Sequence, residues 1–258
     1  MRILLTGHRG FIGSHLLVAL ENAGHEVDTF EWGDGSMPSV MEQDWVIHTG
    51  AISSTTERDI EKVMRQNVDF SIELYNACKT YGVNFQFASS ASLYGMNKEF
   101  TETSPLDPRT PYAWSKYLVE RHIERHPMGA RAQVFRYFNV YGPGEEHKGT
   151  QASPFTQFAK QATIDGKIKV FENSENYCRD FIHVDAIVTF HMMFLDIAES
   201  GVWNFGTGGT MSFLSVAKQY GVPIETIPMP EHLKHSYQEY TCADVRKLSR
   251  TIAPIAQR

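Results

Sequence analysis

The chain opens on an apolar strand, a glycine-rich turn and an amphipathic helix in direct succession, and that order constrains all that follows. Arg2–Thr6 reads as a short buried strand. Gly7, Gly10 and Gly13 then give G-x-x-G-x-x-G, after which Ile12, Leu16, Leu17, Leu20 and Ala23 share one helical face until Gly24 stops the pattern. Between a strand and a helix, such glycines let the backbone turn tightly and approach a pyrophosphate held at the helix N-terminus. Three glycines also suit an ordinary turn; their place after the first strand is what points to phosphate.

Strands and helices go on alternating. Glu26–Phe30 and Trp45–His48 read as strands, Arg58–Lys79 carries helical periodicity through Val63, Val68, Ile72 and Tyr75, and Asn84–Ala88 reads as a strand. A helix from about Tyr112 to Glu124 and a strand at Ala132–Tyr137 follow. This alternation is the signature of a parallel sheet. Only thirteen residues separate Glu31 from Trp45, too few for a further strand with its helix. From Gly142 onward the pattern weakens, with a helix near Pro154–Asp165, an extended Arg179–Val184 segment, a helix to Glu199 and a short strand at Val202–Phe205. The fold expected is α/β, a Rossmann-like doubly wound parallel sheet with a smaller C-terminal substrate-binding lobe. Residues 1–141 would mainly bind NAD(P), and 142–258 would mainly bind substrate while returning some elements to the main sheet.

Composition excludes several classes. With 42% hydrophobic and 21% charged residues the chain is globular rather than disordered. A net charge of -6 lacks the basic excess that nucleic acid requires. The N-terminal apolar run stops at glycine and no later stretch reaches about 18 apolar residues, so neither a signal core nor a membrane partner is expected, and the location expected is cytoplasmic. Cys78, Cys178 and Cys242 lack the paired spacing of a metal site or disulfide framework, which fits a reducing compartment.

The catalytic signal is Tyr112 followed by Lys116, one helical turn apart on a common face. A free phenol with a pKa of about 10 needs roughly 4 kcal/mol of differential stabilisation to act near pH 7. A neighbouring lysine and an oxidised nicotinamide would supply it, making Tyr112 an acid/base at a carbinol proton. Such pairs also occur on ordinary helix surfaces. Ser89 and Ser90, ending an apolar strand where open sheets bind ligands, add weight, and Ser90 is the candidate partner for the reacting oxygen. For the cofactor, Glu31 after the second strand suits the ribose hydroxyls of NAD, whereas Arg9 suits the 2′-phosphate of NADP.

Together Gly7-x-x-Gly10-x-x-Gly13, Ser89-Ser90-Ala91, Tyr112-x-x-x-Lys116 and Arg136-Tyr137-Phe138-Asn139-Val140-Tyr141-Gly142-Pro143 resemble the extended short-chain dehydrogenase/reductase superfamily over most of the chain. More narrowly, Ser53-Ser54-Thr55-Thr56-Glu57, Glu146-His147-Lys148-Gly149, Ser174-Glu175-Asn176, Arg179-Asp180-Phe181 and Phe205-Gly206-Thr207-Gly208 resemble the ADP-glycero-manno-heptose 6-epimerases. The resemblance implies transient oxidation at the sixth carbon of a nucleotide-linked sugar and re-reduction from the other face, with NADP favoured and NAD the alternative. Two acid/base groups are then useful, and they fall on Tyr112 and Lys148. Carried over by position, Phe11, Ile12, Trp32, Gly50, Ala51, Ser53, Asn67, Lys116 and Val140 would meet the cofactor. Ser53, Ser90, Asn139, Lys148, Thr150, Gln157, Phe171, Glu172, Asn173 and Ser174 would meet the sugar nucleotide, with Arg179 and Tyr237 reaching its phosphates.

The sequence also departs from that pattern. Glu31-Trp32 stands for Asp-Asn, Gln157 for a histidine and Asn173 for a glycine, and the chain is a compact version without the family's strand-helix insertion or most of its C-terminal helix. Family habit leads to the expectation of a homo-oligomer. The alternatives are a 4-epimerase, a 4,6-dehydratase or a reductase on the same scaffold, and a cofactor sensor without chemistry. A dehydratase commonly carries Asp-Glu where Ser92-Leu93 stands here, and a sensor would have lost Tyr112 or Lys116.

Overall fold

The computed structural model describes residues 1–54, 56–231 and 238–255. β1 (Arg2–Thr6) runs through the glycine turn into α1 (Phe11–Asn22), and β2 (Glu26–Phe30) and β3 (Trp45–His48) follow with no helix between them. The connection from β3 leads through α2 (Ile60–Val63), a π turn at Met64–Asp69 and α3 (Phe70–Tyr81) to β4 (Asn84–Ser90). α4 (Pro111–Arg125) and β5 (Ala132–Tyr137) complete the regular half. Thr110 caps α4 by accepting the Ala113 N–H, and Pro111 occupies the first turn, where a missing N–H costs nothing.

The remaining elements are β6 (Asn139–Tyr141), α5 (Pro154–Asp165), β7 (Ile168–Phe171), β8 (Cys178–Arg179), β9 (Phe181–His183), α6 (Val184–Phe194), β10 (Gly201–Phe205), β11 (Met211–Ser212), α7 (Phe213–Lys218), β12 (Ile224–Ile227) and a last helix, Arg246–Ile252. β10 joins the main sheet, whose order is β10-β5-β4-β3-β1-β2 with every pairing parallel. The pairs β6-β9, β7-β12 and β8-β11 form small sheets off its C-terminal edge.

Both faces of the main sheet are covered, as its near-continuous apolar strands require. Leu4, Val46, Phe85 and Phe87 pack with Leu74, Tyr75 and Val119 from α3 and α4. Their neighbours Ile3, Leu5, Trp45 and Ile47 pack on the other side with Leu16 and Leu20 of α1. A second packing centre joins Phe158 of α5, Ile168 and Val170 of β7, and Val216 and Ala217 of α7.

Three local expectations are corrected. The helix expected over 58–79 widens at Met64–Asp69, where Asn67 and Val68 are buried, and its N-terminus is capped by the Asp59 carboxylate accepting from Lys62 N–H at 3.0 Å. The segment at 179–184 is two short strands divided by Asp180. That carboxylate is fully buried and accepts from the Thr207, Gly208 and Ala243 N–H groups and the Thr207 hydroxyl, so it clamps the turn after β10. The helix expected to reach 199 stops at Phe194, because Gln133 donates to the carbonyls of Phe194 and Ile197 and Arg131 to that of Leu195. Those donors from β5 and its approach satisfy carbonyls that further helical turns would have used.

Candidate active site

Strand order reverses around β1, with β2 on one side and β3 on the other, which opens a crevice at the ends of β1 and β3. The glycine turn lies there. Gly7 has φ +80°, and a Cβ on it would stand 2.5 Å from the Gly50 nitrogen. A Cβ on Gly13 would stand 2.0 Å from the Gly7 carbonyl oxygen. Only glycine permits these approaches, and no side chain caps the N-terminus of α1, where Gly10 precedes Phe11 and Ile12. A cleft of about 230 Å³ beside the turn is lined by Gly7, Glu31, Trp32, Gly50 and Ala51 among others. This is a cradle a dinucleotide fits: open backbone at a helix N-terminus, an acidic group after β2 and an aromatic wall.

Glu31 accepts the Arg9 N–H at 2.6 Å and lies 3.5 Å from His8 Nδ1. The Arg9 guanidinium instead stands 3.5 Å from Asp34 and is largely exposed. Trp32 meets Phe70 edge-on at 5.6 Å between ring centres. Ser53 is exposed. Asn67, expected at the cofactor, has its amide held within the protein: its oxygen accepts the Ile52 N–H, and its nitrogen donates to the Ile52 carbonyl and to Ser115 Oγ at 3.0 Å. Both amide protons are used inside the protein, so Asn67 ties the loop after β3 to the helix bearing Tyr112.

Ser90 and Tyr137 end β4 and β5 at paired positions, and α4 lies across the sheet from that edge. Both serines reach α4: Ser89 donates to the buried Glu120, while Ser90 hydrogen-bonds Tyr112 and caps the short turn after β4 by accepting the Ser92 N–H. Lys116 is buried, with its Nζ 4.7 Å from the Phe87 ring centre and 5.9 Å from that of Tyr112. Burial pulls this ammonium down to about 7, against the attraction of Glu120. Burial pushes the Tyr112 phenol up from its ordinary value, opposed by the Ser90 hydrogen bond. The expected lowering by the neighbouring lysine is therefore not produced by the chain's own groups: both partners share one desolvated place, and desolvation disfavours charge on each.

Beyond the ends of β5 and β6 opens a cavity of about 780 Å³. Of the residues expected at substrate, Asn139, Lys148, Thr150, Gln157, Phe171 and Ser174 line it, as does Val140. Gln157 donates to the carbonyls of Thr150 and Ala152, holding the Lys148 segment over α5. Lys148 has its Nζ 4.2 Å from the Phe11 ring centre, and burial lowers its pKa against the pull of Glu145. Glu172 and Asn173 are exposed beside the wall, and Asn173 has φ +62°, a left-handed conformation asparagine tolerates. Arg179 is buried off the wall and donates to the carbonyls of Cys178 and Gln238. Tyr237 lies outside the described residues. The walls of this cavity do not include Tyr112, Lys116 or Ser90, which stay together at the sheet edge.

Residues 3–206 match the NAD dependent epimerase/dehydratase family. The chain belongs to that family. An ADP-L-glycero-D-manno-heptose-6-epimerase from Alkalilimnicola ehrlichii is 36% identical over 288 residues, covering 95% of this chain and 90% of the relative. The crystal structure of a Helicobacter pylori ADP-L-glycero-D-manno-heptose-6-epimerase shares the fold with TM-score 0.86 at 23% identity, covering 98% of this chain and 90% of that one. A UDP-glucose 4-epimerase from Thermotoga maritima with UDP-glucose has TM-score 0.85 at 26% identity, covering 98% and 93%. A Thermus thermophilus UDP-glucose 4-epimerase complexed with NAD has TM-score 0.82 at 27% identity, covering 97% and 92%.

Within this epimerase/dehydratase scaffold some wall residues escaped the sequence reading. Gln66 and Phe70 line the cleft from the π turn and α3. Gln161, Lys169 and Phe213 line the large cavity. Nothing in their local pattern distinguishes them from surface or core residues, whereas the wall residues Glu145, beside the Glu146-His147-Lys148 run, and Phe181, within Arg179-Asp180-Phe181, stood in reach of a motif.

Proposed function

We propose that this family member epimerises an ADP-linked glycero-manno-heptose at its sixth carbon, with the cofactor held mainly by residues 1–141 and the sugar nucleotide mainly by 142–258. The likeness to the 36%-identical relative supports the substrate. The observation that carries the reaction type is the presence of two desolvated ionisable groups in different surroundings: Tyr112 beside Ser90 at the sheet edge, and Lys148 on the cavity wall. Epimers present the same hydroxyl on opposite sides, so proton transfer at both calls for two groups.

Bound nicotinamide supplies the hydride acceptor and donor. Tyr112 takes or returns the hydroxyl proton of one epimer, with Ser90 orienting the oxygen, and Lys148 does so for the other. Lys116, whose pKa burial lowers to about 7 against the pull of Glu120, gains further charge stabilisation when an anion forms beside it, which suits it to partner a Tyr112 phenolate.

For the cofactor, the positions of Glu31 and Arg9 support NAD over the NADP that the resemblance favoured. A carboxylate on the cleft wall suits ribose hydroxyls and repels a 2′-phosphate, and the Arg9 guanidinium faces Asp34. A homo-oligomer is proposed from family habit, with light scattering as its test. The decisive experiment incubates the enzyme with ADP- and UDP-linked sugars and reads product stereochemistry by NMR. C6 inversion of the ADP-heptose, lost in both Tyr112→Phe and Lys148→Met, is expected; C4 inversion of a UDP-hexose with Lys148→Met fully active would overturn the reading.

A further inference from the structure

Glu145 stands three residues before Lys148 and is 1% exposed. A carboxylate is kept that deep only where donors surround it. Here the Ser153 N–H donates to Oε2 at 2.8 Å, and the Ser153 and Thr156 hydroxyls donate to Oε1, all from the start of α5. The Glu145 carbonyl in turn accepts the Lys148 N–H at 3.0 Å. One residue thus fastens the backbone of the Lys148 turn to itself and its own side chain to α5, while the ammonium rests against the Phe11 ring.

We propose that Glu145 is a positioning residue for Lys148, pinning its turn to the first turn of α5 and placing a buried negative charge on that turn. This rests on the reading of Lys148 as the second acid/base group. Glu145 opposes the desolvation that lowers Lys148. The other titratable or charged groups on the same turn, on α1 or on the cavity wall are Glu146, His147, His15, Glu21, Asp165, Lys169 and Tyr177. None of them makes a hydrogen bond to the Lys148 backbone among the described residues, whereas Glu145 does.

The test reads Lys148 directly. Lysines are reductively methylated with 13C-formaldehyde, the Lys148 resonance is assigned by its loss in Lys148→Met, and its titration is followed by NMR beside kcat and KM. In Glu145→Gln the midpoint falls by about one pH unit and kcat falls about tenfold or more with KM little changed. A paired Ser153→Ala, Thr156→Val variant removes two of the carboxylate's three donors while keeping its charge, so kcat falls and the midpoint stays; it also serves if Glu145→Gln does not fold. An unchanged midpoint in folded Glu145→Gln, or wild-type kcat in the paired variant, overturns the proposal. Full turnover in Lys148→Met would remove the acid/base reading alone, since the titration needs no turnover.

Discussion

Glu120 and Arg136 form an ion pair with Nη2 and Oε2 at 2.7 Å and each side chain 1% exposed, one helical turn beyond Lys116. Arg136 also donates to the Tyr94 hydroxyl at 3.0 Å, and Ser89 donates to Glu120, so β4, β5, α4 and the turn after β4 meet in one buried polar group.

Breaking that pair from one side leaves an uncompensated charge in the interior. Arg136→Met is expected to cost about 3–5 kcal/mol, because Glu120 would remain buried without its partner. A double variant, Arg136→Met with Glu120→Gln, should recover much of the loss. Urea denaturation of the singles and the double measures the coupling, and equal stability of the Arg136→Met single and the wild type would contradict it.

Lys116 makes the cofactor-free chain sensitive to pH in an unusual direction. Its pKa is lowered from the ordinary lysine range to about 7, so between about 7 and the ordinary value the unfolded chain binds the extra proton. Stability from this group therefore rises with pH across that window and is lost as pH falls through about 7. Lys116→Met should abolish the slope and be at least as stable as wild type at pH 7, while losing on the order of 100-fold or more in kcat. Melting temperatures from pH 6 to about 10 provide the check.

Acid should unfold the protein through two histidines. His48 lies between Thr6 and Ser71, and His191 between Tyr137 and Gln86, all by hydrogen bonds. Both are fully buried and pulled to about 3, His48 by burial and then by Lys116, His191 by burial. Lowered folded values mean that the unfolded chain takes up protons first, so stability falls as pH drops from the ordinary histidine range toward 3. Each is expected to contribute roughly 5 kcal/mol over that interval. His191→Gln should flatten the acid limb measured by circular dichroism; an unaltered limb would exclude His191 as a cause.

Gly13→Ala tests the cradle. Its Cβ would meet the Gly7 carbonyl at 2.0 Å, backbone that cannot move without opening the turn. Loss of NAD affinity by about 100-fold or more is expected, since the approach at the helix N-terminus is what the turn provides. Calorimetric titration of the cofactor-stripped protein measures it, and wild-type affinity would contradict the placement.

Several features needed no tertiary knowledge. β1, β3 and β5 have the bounds their sequence implies, because strands buried on both faces leave a continuous local signal. α5 spans Pro154–Asp165, bounded by a proline that starts helices and by Gly166 at φ +63°, which ends them. The grouping of Ser90, Tyr112 and Lys116 was equally legible, since one strand end and one helical turn define it.

What required the fold was every property set by a partner distant along the chain. The π turn at Met64–Asp69 keeps the apolar spacing of an ordinary helix, so its changed hydrogen-bond register leaves no mark in the residues. The Asn67 amide clamps Ile52 and Ser115 together, partners 15 and 48 positions away along the chain. The stop at Phe194 depends on Gln133, 61 positions earlier. Sequence alone determined which chemistry the chain carries, because residue type and local period are written in order; three-dimensional packing decided the charge state and the partners of each group, because desolvation and hydrogen bonding depend on what surrounds an atom.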